Sequence, residues 1–338
     1  MERVLVTGGA GYVGSVVTET LCKNGFPVVV VDDLRDSEKK VFPNGAIFYE
    51  QDYGDADALR GIINEHDISI VMHLAASANV PQSVVNPALF YQNNVAGTIT
   101  LLQTMAEAGV NKLVFSSTAA VYGEPEYSPI DEDHPLNPVN PYGRSKLMIE
   151  QMIEDFHKAY GLQYIALRYF CAAGATSENG ESRKSQETHL IPLVIDTALG
   201  KRSHVEVFGS DYPTKDGTGV RDYIHVSNIA MAHILAMESL DNVPNGALNL
   251  GTGNGYSVLE VIEVTQRVLG CEIPRKHAPS RPGDPASLVA SHKKAQEVLG
   301  WSPKYTLEDI IRSTYEWRNH PRRFDDHSTN REIACRRG

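Results

Sequence analysis

The chain has 338 residues, 42% hydrophobic and 22% charged, which supplies a core and excludes a disordered chain. Its 31 Lys and Arg against 42 Asp and Glu leave a net charge of −11, which excludes a sequence-independent nucleic-acid binder. At roughly 150 residues per domain, this length predicts about two domains or one large α/β unit.

The elements follow in chain order. Arg3–Thr7 is a short β-branched run of the kind found in buried parallel strands. It leads into Gly8-Gly9-Ala10-Gly11-Tyr12-Val13-Gly14, which contains both a Gly-x-Gly-x-x-Gly and a Gly-x-x-Gly-x-x-Gly pattern. Alone the motif says little. Between a strand and the helical periodicity of Tyr12–Asn24 it predicts a dinucleotide site. A tight turn, a close pyrophosphate and a helix packed on a strand each require a missing Cβ. The helix N-terminus offers N–H groups and a positive dipole end to phosphate. The second strand, Pro27–Asp32, ends in Asp32-Asp33. A carboxylate there accepts from a ribose 2′-hydroxyl and repels a 2′-phosphate, which favours NAD over NADP. Arg35 is read as a solvated side chain.

Asp55–Glu65 follows as a helix with Leu59, Ile62 and Ile63 on one face, then strand Ile68–His73, helix Asn94–Ala108 and strand Lys112–Ser116. This alternation predicts an α/β fold built on a doubly wound parallel sheet, with ligands at the C-terminal edge of the strands. That edge receives three consecutive hydroxyls, Ser116-Ser117-Thr118. Pro141 opens a helix with an apolar stripe of Ile149, Met152, Ile153 and Phe156. Tyr142 and Lys146 lie one turn apart on it. An ammonium beside a phenol stabilises the phenolate and makes a proton carrier for neutral pH. The spacing alone also fits an ordinary helical pair; its position after a glycine turn and a hydroxyl-rich strand end is what points to chemistry.

After about residue 170 the texture changes to Gly, Ser, Asn and charged residues, then to further strand and helix signal. The expected division is 1–170 plus 220–252 for the nucleotide domain and 171–219 plus 253–320 for a smaller, mixed α/β domain. Residues 321–338 are expected to be a disordered tail. Cys22, Cys171, Cys271 and Cys335 stand too far apart for metal or redox motifs, and the histidines are scattered, so no metal site is expected. The N-terminus meets its glycines before a signal-peptide apolar region can form. No run approaches the ~18 apolar residues of a membrane span. A cytoplasmic protein is expected.

Taken together these residues resemble the extended short-chain dehydrogenase/reductase family, over about residues 1–317, and within it the sugar-nucleotide 4-epimerases. The resemblance rests on the glycine turn and the Tyr–Lys pair. It rests also on His73-Leu-Ala-Ala76, Asn93-Asn94-Val-Ala-Gly97-Thr98, Arg168-Tyr169-Phe170, the segments beginning at Phe208 and Asp216, and Arg281-Pro-Gly-Asp284. It implies a Rossmann domain holding NAD and a second domain holding a UDP-sugar. The implied activity is epimerisation at C4 of a UDP-hexose through a transient 4-keto sugar. Tyr142 would carry the proton, Lys146 would tune it and bind a ribose, and Thr118 would share the proton path. Along the cofactor the resemblance places Gly8, Gly11, Tyr12, Val13, Gly14, Asp32, Asp33, Asp52, Tyr53, Leu74, Ala75, Ala76, Asn94, Ser116 and Tyr169. Along the substrate it places Cys171, His189, Leu190, Phe208, Arg221, Tyr223, Arg281, Asp284 and Leu288, with the two arginines on the diphosphate. A homodimer through the helices Asn94–Ala108 and Tyr142–Tyr160 is a further implication.

The chain departs from the family pattern in four places. Cys171 and His189 stand where Asn is usual, and Ala78 where some bacterial members have Lys. Leu288 stands where members restricted to glucose and galactose often carry Tyr and broader ones a small residue. A 4-epimerase of UDP-N-acetylglucosamine or UDP-xylose is therefore an alternative. Another is a non-catalytic NAD-sensing module, a class that commonly lacks the Tyr–Lys pair. Dehydration is disfavoured, because related dehydratases follow the active-site Thr with Asp-Glu and this chain has Ala119-Ala120.

Overall fold

The computed structural model describes residues 2–37, 42, 45–182, 184, 187–280 and 284–319. Its strands, in chain order, are β1 Val4–Thr7, β2 Val28–Asp32, β3 Ala46–Glu50, β4 Ile70–His73, β5 Lys112–Thr118, β6 Gln163–Tyr169 and β7 Cys171–Ala173. They continue with β8 Val205–Phe208, β9 Val220–His225, β10 Gly246–Leu250, β11 Gly255–Ser257, β12 Arg275–Ala278 and β13 Ser287–Leu288.

Seven strands form one sheet in the order β10-β6-β5-β4-β1-β2-β3, and every pairing in it is parallel. Strands β1, β2 and β4 are buried at every residue, as a sheet covered on both faces requires. The side chains alternate between two cores. Val4 and Val6 point to one face, with Val16, Ile229 and Trp301. Leu5 points to the other, with Leu59, Ile62, Leu101, Leu102 and Ile149. The strand order reverses between β1 and β4, which opens a crevice at their C-terminal ends. Thr7, His73 and Phe115 are level across β1, β4 and β5. The next residues, Gly8, Leu74 and Ser116, therefore form the ligand edge.

The smaller body is built on β9, which pairs antiparallel with β11 and parallel with β13 and β7. A parallel ribbon of β8 and β12 stands beside it. Helices Leu190–Ala198, Val258–Leu269 and Leu307–Asn319 cover this body through Ile191, Ile195, Val261, Ile310 and Ile311. Strand β9 belongs to this small sheet, and the chain re-enters the large one at helix Val226–Ser239 and β10.

Three local expectations change. β3 carried no clean alternation in the sequence; it is an edge strand with mixed exposure. The helix expected at Asn94 begins as a π-helical turn, Tyr91–Ala96, before Gly97–Glu107 becomes α-helical. Strand β5 runs on to Thr118, because its last three residues still pair with β6. Arg318, in the last turn of helix Leu307–Asn319, pairs with Asp196. The tail itself lies outside the described residues.

Candidate active site

The glycine turn is closed by its own backbone: Gly8 N–H donates to Val31 O at 2.8 Å and Gly11 N–H to Gly8 O at 3.1 Å. Gly8 has φ +73° and a Cβ there would stand 2.5 Å from Ala75 N; one on Gly14 would stand 2.0 Å from Gly8 O. Helix Tyr12–Lys23 starts there with no acidic residue in its first turn, so its N–H groups face an anion without competition. Asp32, 9% exposed, lies under the turn. Its carboxylate accepts from Ala10 N–H and Leu34 N–H, both at 2.9 Å. Burial raises its pKa, and these hydrogen bonds oppose the rise. Both its oxygens thus already hold the turn together. Asp33 is the more open carboxylate.

Arg35 is not simply solvated. Its guanidinium lies 2.8 Å from Asp33 and 3.5 Å from Asp52 and donates to Asn93 Oδ1 at 2.9 Å. The charges at this end of the crevice need partners, and Arg35 supplies them. Tyr53 is buried, its hydroxyl on Asn93 O and its ring against His73, so it supports the crevice from below.

The chemistry-bearing pair sits on helix Pro141–Tyr160, which Asn140 caps by accepting from Gly143 N–H at 2.9 Å. Tyr142 is half-buried and meets Phe90 edge-on at 6.5 Å. Lys146 is 2% exposed, donates to Ser116 O at 2.7 Å and lies 4.7 Å from the centre of the Phe115 ring. Burial brings its pKa down to about 7, against an opposing pull from Glu150. Thr118 Oγ1 accepts from Ala120 N–H at 3.1 Å at the open end of β5. The edge thus collects Gly8, Gly11, Leu74, Ala75, Ala76, Ser116, Thr118, Tyr142 and Lys146.

Two expected cofactor residues make hydrogen bonds within the chain. Asn94 is fully buried and all four hydrogen-bonding positions of its amide are taken. Oδ1 accepts from Ser77 N–H and Asn93 Nδ2; Nδ2 donates to Ser77 O and Ser145 Oγ. Asn94 therefore braces the 74–79 loop against the Tyr142 helix. Tyr169 turns its hydroxyl toward the core, 2.6 Å from His233 Nε2, with the Ser116 side chain of the edge also in reach.

On the substrate side, Arg221 pairs with Asp284 and donates to Val220 O at 2.7 Å, which fixes the guanidinium in one orientation. Cys171, partly buried, has its thiol pushed up to about 11 by desolvation, with Arg221 opposing. Leu288 is level with Arg221 in the β13–β9 pairing. It packs on the cluster of Ala119, Tyr122 and Phe170, just beyond Thr118. Phe208 is partly exposed at the end of β8. Tyr223 and Leu190 pack with the core of the small body. His189 is exposed, and its Nδ1 is 2.7 Å from Glu181 Oε1. Glu187 joins these two in a group whose ligand-type atoms lie within 4.8 Å, the one grouping with metal-ligand residue types found among the described residues. Arg318 stands 3.5 Å from Glu187 and also pairs with Asp196. Arg281 lies outside the described residues.

Sequence reasoning missed a buried polar network behind Lys146. Glu150, one turn further along the helix, accepts from Arg168 at 3.1 and 2.7 Å and from Ser117 Oγ. Arg168 also donates to Tyr122 Oη at 2.9 Å, and Tyr122 to Asn249 Oδ1 at 2.7 Å. The i+4 spacing from Lys146 to Glu150 was its one sequence signal.

A glycine turn, a helix N-terminus and a Tyr–Lys helix on one sheet edge are the parts of a dinucleotide enzyme. Residues 4–251 match the NAD dependent epimerase/dehydratase family. The chain belongs to that family. Its relatives include a UDP-glucose 4-epimerase of Halalkalibacterium halodurans, 48% identical over 334 residues, 97% of this chain and 99% of the relative. Among solved structures, a UDP-glucose-4-epimerase from Stenotrophomonas maltophila with bound NAD and formylated UDP-arabinopyranose superposes with a TM-score of 0.92. It is 39% identical, over 96% of this chain and 99% of its own. The UDP-glucose 4-epimerase of Bifidobacterium longum, in complex with NAD+ and UDP, gives 0.90 at 38% identity, over 94% and 98%. No helix among the described residues is long and apolar enough to cross a membrane.

Proposed function

We propose that the chain interconverts UDP-glucose and UDP-galactose by NAD-dependent epimerisation at C4 through a transient 4-keto sugar. The observation that carries this reading is the placing of Tyr142, Thr118 and buried Lys146 at the edge that the glycine turn begins, with Ala119-Ala120 following Thr118. Oxidation of an alcohol needs a proton carrier at the oxygen; loss of water would need an added acid and base, which two alanines cannot provide. The two solved structures named above carry NAD, one with UDP and the other with formylated UDP-arabinopyranose.

The residues fit that cofactor. The turn from Gly8 to Gly14 admits no Cβ at its closest points, and the helix start at Tyr12 and Val13 presents N–H groups to a diphosphate. Asp33 and Asp52 stand at the ribose and adenine end. Lys146 lies beside the Ser116 carbonyl, where it would hold the second ribose. NAD bound there supplies a hydride acceptor that serves as donor on the return. Tyr142 removes the proton from the sugar 4-hydroxyl and gives it back to the 4-keto oxygen. Lys146, one turn away, favours the phenolate by its charge. Thr118 offers a hydroxyl to the same oxygen. The turned sugar presents its other face while the diphosphate stays fixed, a task assigned to Arg221 and Arg281. Arg221 is already oriented by Asp284.

The enzyme works as a cytoplasmic homodimer in this reading. Cys22, Cys171 and Cys271 are free thiols. Ile99 at 40% and Met148 at 42% are exposed apolar side chains on helices Gly97–Glu107 and Pro141–Tyr160. Light scattering should return twice the chain mass, and Met148→Glu with Ile99→Glu should return one. Purified protein given UDP-galactose alone should form UDP-glucose. Bound NAD with no turnover of any UDP-sugar would overturn the proposal in favour of a sensor.

A further inference from the structure

Outside the reacting groups, helix Tyr12–Lys23 buries a second feature. Glu19, 1% exposed, accepts from Lys23 Nζ at 2.5 Å on its own helix. It also accepts from Thr176 Oγ1 at 2.7 Å and Asn179 Nδ2 at 2.8 Å. At the start of the same helix, inside the glycine turn, Tyr12 donates its hydroxyl to Gly174 O at 2.6 Å. Both contacts reach one segment, residues 174–181, which leaves β7 and leads toward Glu187, His189 and Leu190. Thr176 organises that segment by accepting from Asn179 N–H at 2.9 Å, and Thr176 N–H donates to Asn179 O at 2.7 Å. Its far end is fixed where Trp317 Nε1 donates to Glu181 O at 3.2 Å. Glu181 in turn holds His189.

Apolar packing alone does not hold this segment. A groove of about 460 Å³, lined by Thr20, Thr176, His225, Tyr305 and Arg312 among others, runs along one side. A void of about 10 Å³ lies between Tyr12, Gly174 and Trp317 on the other, room for about one water. Directional hydrogen bonds therefore fix the segment against the helix. A carboxylate this deeply buried is well satisfied in one arrangement of its donors and poorly in any other.

We propose that Tyr12 and Glu19 are positioning residues that couple occupancy of the dinucleotide turn to occupancy of the nucleotide-sugar side. The proposal rests on the reading above, in which both ligands bind one chain. The first residues of the helix face the cofactor diphosphate, while its Tyr12 and Glu19 side chains hold the segment that runs between the substrate-side residues Cys171 and His189. A ligand that fixes the segment then also fixes the helix start. Coupling of this kind is reciprocal.

The test is the loss of bound NAD from the holoenzyme on dilution, with and without saturating UDP. In the parent, UDP should slow NAD loss about tenfold. In Tyr12→Phe combined with Thr176→Val, the slowing should fall below about threefold, with each single variant between. Tyr12→Phe deletes one oxygen and keeps the ring, so it guards against a double variant that fails to fold. A role in folding alone would lower the melting temperature and leave the slowing factor unchanged. An unchanged factor in the variants, or a parent that holds NAD and binds UDP with no slowing, overturns the coupling and leaves the proposed reaction standing. A parent that holds no NAD or binds no UDP overturns both.

Discussion

Replacing Lys146 by methionine separates what the side chain does for the fold from what it does for the reaction. Lysine ordinarily ionises near 10.5, and burial brings Lys146 to about 7. The folded value lies below the unfolded one. Between these values the unfolded chain binds more protons, so parent stability rises with pH across that window; below it the cost of burying the ammonium is felt in full. Each unit of pKa corresponds to about 1.4 kcal/mol, so the cost is about 4 kcal/mol at pH 7 and about 2 kcal/mol at pH 9. Met carries no proton and nearly the same volume. It loses the hydrogen bond to Ser116 O, worth about 1–3 kcal/mol at any pH. The pH-dependent part is therefore the clean signature. Urea unfolding of nucleotide-free parent and Lys146→Met at pH 7 and pH 9 should show the parent gaining about 2 kcal/mol on the variant, while the variant has lost epimerisation. A difference that stays flat, or shrinks as pH rises, would refute the reasoning about this buried ammonium.

Tyr142→Phe should lower kcat by about 10²–10⁴-fold with bound NAD unchanged, read by turnover and by nucleotide released on denaturation. Glu150→Gln leaves the buried Arg168 guanidinium without its counter-charge; urea midpoints should report a loss of about 3–5 kcal/mol, and a loss under about 1 kcal/mol would mean the network is solvated. Leu288→Tyr adds bulk beside Ala119 and Phe170. It should cut turnover of UDP-N-acetylglucosamine relative to UDP-glucose, and an unchanged ratio would remove Leu288 from the specificity argument.

The large sheet was legible because strands such as Val28–Asp32 are buried on both faces and therefore read as unbroken β-branched runs. Helix Ala56–Glu65 was legible for the opposite reason: one face is wet, so Leu59, Ile62 and Ile63 stand out. β3 was not, since an edge strand of mixed exposure has no fixed hydrophobic period. At the site, residues acting through the backbone or beside it announced themselves: glycines at a turn, a Tyr and a Lys one turn apart. Those acting through tertiary partners did not. Nothing local says that Asn94 will bond Ser77 and Ser145, that Tyr169 will face His233, or that Glu19 will meet Thr176. Each of those pairs is decided by which elements the sheet order makes neighbours. Arg35 shows the same limit, since its partners Asp52 and Asn93 are distant in sequence.

The central claim is that hydrogen leaves C4 as hydride and returns to the same carbon. UDP-glucose labelled with deuterium at C4, incubated with purified enzyme in ordinary water and without added nucleotide, tests it most directly. The account predicts UDP-galactose that keeps the label at C4. Label lost to solvent would contradict it, because a proton removed from carbon exchanges with water, and so would a preparation that holds NAD yet forms no UDP-galactose.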